Sequence, residues 1–318
     1  MLLDVLWIAV GLAGLFFGGN WLVKGAARLA QTLGVSPIVI GLTIVAYGTS
    51  TPELLVSLQA ALGGNADISM GNVVGSNIAN IGLIIGLSAL VYPMVVQLQF
   101  LQREIPIMIG VSVLFLFLAQ DGVIGALDGA IFVIGAAAYT VLSYLIAKQE
   151  GKELIRQTQE FTAVIAKPTN HLFNDLLLVA VGIVVLLFGS DRLVLGAVNI
   201  AEAIGVPQIV IGITLVAVGT SLPELATSVI AAFRRESEIA IGNVVGSNIF
   251  NIFAILGITS LITPINVNPR LLQVDTFVML GFSVALFVFC LNRKISRREA
   301  ILLLTAYTAF AVYNFAPR

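Results

Sequence analysis

Apolar windows of about 20 residues, the length that crosses a bilayer as a helix, fall at 2–22, 37–62, 68–92, 104–120 and 123–147. They give way to a polar stretch, 148–171, and resume at 172–195, 207–232, 239–262, 271–291 and 298–316. The pattern predicts an all-α polytopic membrane protein with ten transmembrane helices. The second, third, seventh and eighth windows hold so much Gly, Ser, Thr and Pro that broken helices are expected there.

The apolar pattern repeats, and so do the polar residues inside it. Gly41 to Gly86 reads GLTIVAYGTSTPELLVSLQAALGGNADISMGNVVGSNIANIGLIIG, and Gly212 to Gly257 reads GITLVAVGTSLPELATSVIAAFRRESEIAIGNVVGSNIFNIFAILG. Of these 46 positions 26 are identical, without a gap, at an offset of 171. The same offset aligns FGGNWLVKGAARLA (17–30) with FGSDRLVLGAVNIA (188–201), and Glu104 with Asp275. The chain thus divides into two halves of five spans, 1–147 and 172–318, joined by a linker at 148–171. An odd number of spans per half inverts the second half relative to the first, the plan of transporters whose site lies where the repeats meet.

Charge tests that inversion. With 148–171 placed in the cytoplasm, the interior loops hold 13 of the 16 Lys and Arg residues, and only Arg192, Arg270 and Arg318 fall outside. Both termini are then extracytoplasmic. No Lys or Arg precedes the first apolar run, so Leu2 to Leu22 is expected to be a retained span and not a cleaved leader. Trp7 and Trp21, near the ends of that span, fit interfacial anchoring.

Composition narrows the chemistry. Apolar residues make up 58%, charged residues 10%, and the mean hydropathy is +1.04. A net charge of −1 argues against a nucleic-acid partner. The lipid bilayer is the surrounding implied, and no obligate protein partner is evident. Cys290 and His171 are the only residues of their kinds, which removes disulfides, His/Cys metal centres and Ser/His or Cys/His catalytic sets. The protein does not read as an enzyme, and no cofactor is expected.

The candidate chemistry sits in the two repeats. In GTSTPE (48–53) and GTSLPE (219–224), Pro52 and Pro223 remove a helical hydrogen bond and clash with the carbonyl one turn back, at Gly48 and Gly219. Irregular backbone at membrane depth persists only inside protein or along a cavity. The freed carbonyls, the Thr and Ser hydroxyls, Glu53 and Glu224 are all hard oxygen donors. Thr49 with Glu53, and Thr220 with Glu224, are spaced to share a helix face. In GNVVGSNIAN (71–80) and GNVVGSNIFN (242–251), Ser76 with Asn80 and Ser247 with Asn251 do the same. Asn72, Asn77, Asn243 and Asn248 are alternatives that tie down broken backbone. The glycines spaced by four serve close helix packing.

The inversion should bring Glu53 and Glu224 together near the midplane with no Lys or Arg between them. At ~6 Å and an effective dielectric of about 20, their repulsion is roughly 3 kcal/mol. One divalent cation, several monovalent cations or protons relieve it interchangeably, and that interchangeability is the root of exchange. A multidentate, irregular oxygen site suits Ca²⁺ and Na⁺ over Mg²⁺, which prefers a rigid octahedron. Asp67 and Glu238 occupy matching hairpin ends, Glu104 and Asp275 read as interfacial, and Asp4, Asp121, Asp128 and Asp175 as ordinary boundary charges.

These two segments closely resemble the alpha-repeats of the sodium/calcium exchanger branch of the calcium/cation antiporter superfamily, and the resemblance covers all ten spans. It implies secondary active exchange of Na⁺ for Ca²⁺ by alternating access, with spans one and six sliding over a more static core. It implies Glu53 and Glu224 as acidic Ca²⁺ ligands helped by Thr49 and Thr220. Na⁺ sites are implied at the Ala46 and Ala217 carbonyls and at Ser50, Ser76, Ser221 and Ser247, with Asn80 and Asn251 nearest the centre. Some potassium-dependent relatives have Asp where Asn251 stands, which disfavours potassium co-transport here. Proton-coupled relatives typically carry a GNATE-like motif in place of TSxPE, which disfavours H⁺/Ca²⁺ exchange. The short linker lacks the calcium-sensing domains of animal exchangers, so a prokaryotic plasma membrane is expected. A passive cation channel is the alternative from a different class.

Overall fold

The computed structural model describes residues 1–159, 172–205 and 217–315. Its helices are α1 (Leu2–Leu33), α2 (Pro37–Thr49), α3 (Thr51–Leu62), α4 (Ala66–Val91), α5 (Phe100–Asp121), α6 (Ala126–Gln159) and α7 (Leu172–Ala203). There follow α8 (Ala217–Thr220), α9 (Leu222–Phe233), α10 (Ser237–Ile262), α11 (Leu271–Cys290) and α12 (Arg297–Phe315). Among the described residues, seven helices are long and apolar enough to cross a membrane, and the bent pair α2–α3 makes an eighth. The expected seventh span falls partly on 206–216, outside the described residues.

Local sequence sets the ends. Gly34 takes the left-handed conformation (φ 64°) that stops α1, and the Ser36 hydroxyl accepts the Ile38 N–H to start α2 at Pro37. Two-residue strands follow the helices: β1 (Met94–Val95), β2 (Val123–Ile124), β3 (Ile265–Asn266) and β4 (Lys294–Ile295). β1 pairs with β4 and β2 with β3, both antiparallel. α5 runs from β1 to β2 and α11 from β3 to β4, so the pairing makes these helices cross the molecule in opposite senses. The start of α4 meets β3 and the start of α10 meets β1, which sets that pair opposed as well.

Burial locates the core. The apolar window of α10 is 94% buried and that of α4 72%, against 22% for α1 and 28% for α7. α4 and α10 therefore form the centre, and α1 and α7 lie outside it. The last two are 32 residues each, far beyond the expected 2–22 and 172–195. At ~1.5 Å per residue each is roughly 48 Å long. They pack antiparallel, backbone against backbone. A Cβ on Gly18 would lie 2.6 Å from Leu186 N, one on Gly182 2.6 Å from Leu22 N, and one on Gly196 2.5 Å from Asp4 O.

Several sequence expectations take a different form. Spans three and eight run through without a bend, each widening into a π-helical segment, Asn80–Ile85 and Asn251–Leu256. A π turn leaves carbonyls off the regular ladder while the helix keeps its course. α6 continues to Gln159, so the first part of the 148–171 linker is helical. Glu104, expected at an interface, is fully enclosed by protein: Tyr139 Oη donates to its Oε2 at 2.9 Å, and Arg103 Nε to its Oε1 at 2.7 Å. Nor is Asp175 a boundary charge, since it is buried and accepts from the Thr32 hydroxyl at 2.7 Å. Tyr139 and Thr32 reach these acids from other helices, which no local pattern specifies.

Filling the α1–α7 seam should be costly. Gly18→Leu or Gly182→Leu is expected to lower the Tm of the purified protein by about 2–10 °C, from an overpacking cost of roughly 1–3 kcal/mol. Gly110→Ala, where nothing lies within 4 Å of the added methyl, should leave it unchanged. Equal Tm values for all three variants would refute a close-packed seam.

Candidate functional site

The site begins with two breaks. α2 ends at Thr49, Ser50 takes φ −83° and ψ 8°, and α3 restarts at Thr51 with Pro52 in its first turn. The axis turns by 44° there. The second repeat does the same, with Ser221 at φ −89° and ψ 5° between α8 and α9, and Pro223 in the first turn of α9. Proline is tolerated at a helix start because its missing N–H needs no partner there. Each break turns the first residues of a new helix, with its glutamate, into the protein.

Glu53 and Glu224 are 1% and 0% exposed. Each carboxylate takes one donor, and that donor belongs to the other repeat: Ser221 Oγ to Glu53 Oε1 at 3.1 Å, and Ser50 Oγ to Glu224 Oε1 at 2.7 Å. The serines continue outward in the same crossed fashion, Ser50 to Ser247 at 2.9 Å and Ser221 to Ser76 at 3.3 Å. Thr49 Oγ1 donates to Asn243 Oδ1 at 3.1 Å and Thr220 Oγ1 to Asn72 Oδ1 at 3.5 Å. The ten residues of this network form five pairs at the offset of 171.

Asparagines hold this arrangement in place. Asn72 Nδ2 donates to the Glu53 carbonyl (3.1 Å) and to Ser57 Oγ (2.9 Å). Asn243 repeats this on the Glu224 carbonyl (3.3 Å) and Ser228 Oγ (2.9 Å). Asn77 and Asn248 clasp each other, each Nδ2 donating to the other's carbonyl at 3.2 Å. Their side-chain oxygens then accept Asn251 Nδ2 and Asn80 Nδ2, both at 2.9 Å. With both amide nitrogens engaged, the Asn80 and Asn251 oxygens are fixed in direction.

Among the buried carboxylate and amide oxygens of the two repeat motifs, four remain without a donor: Glu53 Oε2, Glu224 Oε2, Asn80 Oδ1 and Asn251 Oδ1. Two carboxylates and two amides, related by the repeat, thus present acceptors with no proton aimed at them. Buried acceptors left this way are rare and costly, and a bound cation satisfies them. Neither glutamate forms an ion pair among the described residues. A cavity of about 160 Å³ adjoins the site, reaching Asn72, Ser76 and Ser221 from beside the end of α12.

The other candidates divide. The Ala46 carbonyl already accepts Ser50 N–H (3.0 Å) and Thr49 Oγ1 (3.3 Å). Ala217 opens α8, and Gly219, next to the break, gives its carbonyl to Ser190 Oγ at 2.8 Å. Gly48 lies against Ile183 of α7. Ser57, Ser228 and Ser190 are supporting residues that sequence reasoning passed over. The signal for the first two was present, since both fall four residues after a glutamate at the 171 offset.

The sodium/calcium exchanger protein family matches residues 3–145 and 174–316. The chain belongs to the sodium/calcium exchanger family. Among relatives of this exchanger-family chain is sodium/calcium exchanger MaX1 of Methanosarcina acetivorans, 37% identical over 97% of each sequence. Inner membrane protein YrbG of Escherichia coli (strain K12) is 36% identical over 92% of this chain and 90% of its own length. The solved sodium-calcium exchanger NCX_Mj, soaked with Na⁺ and Sr²⁺, superimposes with a TM-score of 0.85 at 33% identity, covering 100% of this chain and 99% of that one.

For this exchanger, neutralising either acid should relieve the metal-free protein and abolish its response to metal. Glu53→Gln and Glu224→Gln are each expected to match or exceed the wild-type Tm without Ca²⁺. Adding Ca²⁺ should then raise only the wild-type Tm, by the linkage of binding to stability. A Ca²⁺-dependent rise of equal size in either variant would remove that acid from the site. Asn77→Ala, which undoes the clasp, is expected to weaken Ca²⁺ binding at least about tenfold, in line with supporting residues at other metal sites. Unchanged affinity would deny it that part.

Proposed function

We propose that the protein is a secondary active antiporter that exchanges Na⁺ for Ca²⁺ across the plasma membrane by alternating access. The observation that carries this reading is the set of four donor-free buried oxygens from Glu53, Glu224, Asn80 and Asn251. Two negative charges at membrane depth cost at least ~3 kcal/mol each on insertion scales. A single Ca²⁺ bound by both carboxylates cancels that charge. Monovalent ions do so only in numbers, taking the serine and threonine oxygens outside the centre. Binding of one ion type therefore opposes binding of the other, which is the condition for exchange.

In this reading Glu53, Glu224, Thr49 and Thr220 bind Ca²⁺. Ser50, Ser76, Ser221 and Ser247, with the Ala46 and Ala217 carbonyls, form the Na⁺ positions, and Asn80 and Asn251 border the central one. The full chain spans the membrane ten times as inverted halves 1–147 and 172–318, with both termini outside. α1 and α7, joined along their glycine seam, move as one body over the α4–α10 core. The close likeness to NCX_Mj and to MaX1 supports cation/Ca²⁺ antiport.

Protons also neutralise paired carboxylates, so H⁺/Ca²⁺ exchange is the second reading, and the isolated glutamates favour it as much as they favour Na⁺. Potassium-dependent exchange is weakened by Asn251, whose amide supplies no third carboxylate. A passive channel would show flux without any counter-ion.

Reconstituted vesicles tested with separate Na⁺, K⁺ and H⁺ gradients should accumulate ⁴⁵Ca²⁺ only against Na⁺. Accumulation that follows a proton gradient and ignores Na⁺ would replace Na⁺ with H⁺ as the coupling ion. Asn251→Asp is expected to tighten Ca²⁺ binding and to introduce a K⁺ or H⁺ effect on flux. An unaltered ion profile would place Asn251 away from the transported ions.

A further inference from the structure

The repeat allows the two flanks of the site to be compared residue by residue. On one flank the cavity of about 160 Å³ is bordered by Asn72, Ser76, Ala79, Ser221, Ala311 and Asn314. Adding or subtracting 171 gives, on the other flank, Asn243, Ser247, Phe250, Ser50, Thr140 and Ser143. The small Ala79 is thus exchanged for Phe250, whose ring stacks on Tyr47 with centroids 4.5 Å apart. Ala311 is exchanged for Thr140, whose hydroxyl meets Tyr47 Oη at 2.5 Å. The residue matching Tyr47 is Val218 in the sequence. On this flank Ser247 and Asn243 are 0% exposed, while Ser76 on the other keeps 5%.

The position of this cluster follows from the helices that carry it. α2 leaves the β1/β4 face, since Gly41 lies against Ile239 and Gly242 at the start of α10, and that start meets β1. Tyr47 is therefore reached before Ser50 on coming from that face. Thr140 follows Tyr139, which is bonded to Glu104 near the start of α5, just after β1. Phe250 and Thr140 stand at the repeat equivalents of Ala79 and Ala311, so the Tyr47–Phe250–Thr140 contact occupies the counterpart of the cavity, on the flank that α6 follows from β2 toward the β1/β4 face.

We propose that Tyr47, held by Phe250 and Thr140, is a plug that closes the cation site toward the β1/β4 face, and that ions reach the site from that face only when Tyr47 moves aside. An aromatic constriction excludes a hydrated cation because its water has no partner on the apolar ring. The phenol hydroxyl keeps the plug seated by a hydrogen bond to Thr140 that has no equivalent on the other flank. The two flanks thus differ, one plugged and one bordered by a cavity, although the ligands between them are duplicated. The kinetic consequence rests on the alternating-access reading; the accessibility of the site does not.

The first experiment needs no transport. With buried Cys290 replaced by Ser, Ser247→Cys is labelled by a membrane-impermeant methanethiosulfonate added to one face of oriented vesicles. Adding Phe250→Ala or Tyr47→Ala should speed labelling from the β1/β4 face at least about tenfold and leave the opposite face no faster. Equal acceleration from both faces, or none from either, would overturn the plug. A second measurement avoids altering a site serine. Tyr47→Phe and Thr140→Val keep the packing and remove only the hydrogen bond. Each should shift the ratio of apparent Ca²⁺ affinities at the two faces about fivefold toward the β1/β4 face, the change expected when one net hydrogen bond biases a two-state equilibrium. A constant ratio with normal flux would refute the plug while leaving the exchange reading intact.

Discussion

Two carboxylates are held out of water by helices that give one oxygen of each a hydroxyl donor and leave the other oxygen none. Charge buried in this way is stable only beside a compensating ion, and the rest of the architecture makes that compensation available. The helix breaks at Ser50 and Ser221 turn the glutamates inward, and the asparagine clasp leaves two further buried oxygens without donors. The absence of an ion pair to either acid, among the described residues, leaves the role of counter-charge to something that arrives and departs.

The hydrogen bonds of the site cross between repeats. Each serine after a break serves the opposite repeat's glutamate, and Asn77 and Asn248 close on each other's carbonyls. Neither half builds a binding site alone, because its carboxylate lacks a donor until the other half supplies one. Reciprocity of this kind explains why duplicated Ser, Thr, Glu and Asn stand at membrane depth, where a packing bundle needs only small and apolar side chains. It also explains the close approach of the backbones, Gly41 against Gly242 and Gly246 against Leu42.

Around this core, α1 and α7 form a unit of another kind. Their shared seam is lined by glycines and tied at its ends by Asp4 with Asn199 and Asp175 with Thr32. Their ties to the core are fewer and more local: Gly48 against Ile183, Gly19 against Ile230, and Ser190 donating to the Gly219 carbonyl. A pair packed tightly to itself and lightly to its neighbour is able to shift as a body, since fewer contacts must be exchanged.

The sequence by itself determined the membrane character, the duplication and the identity of the central acids. Apolar windows report burial in lipid, and a gap-free offset of 171 marks every polar residue that both copies keep. Ser50, Ser76, Ser221 and Ser247 join Glu53 and Glu224 in crossed hydrogen bonds, Asn80 and Asn251 bond to Asn248 and Asn77, and Asn72, Asn77, Asn243 and Asn248 donate to backbone carbonyls. Only the tertiary structure decided which oxygen each donor serves. It set Thr49 on Asn243, enclosed Glu104 with Tyr139, and packed Tyr47 against Phe250 on one flank while a cavity borders the other. Spacing along one helix fixes a face, but the partner of that face comes from another chain segment, as far as 197 residues away for Ser50 and Ser247. That choice depends on packing, which no local pattern encodes.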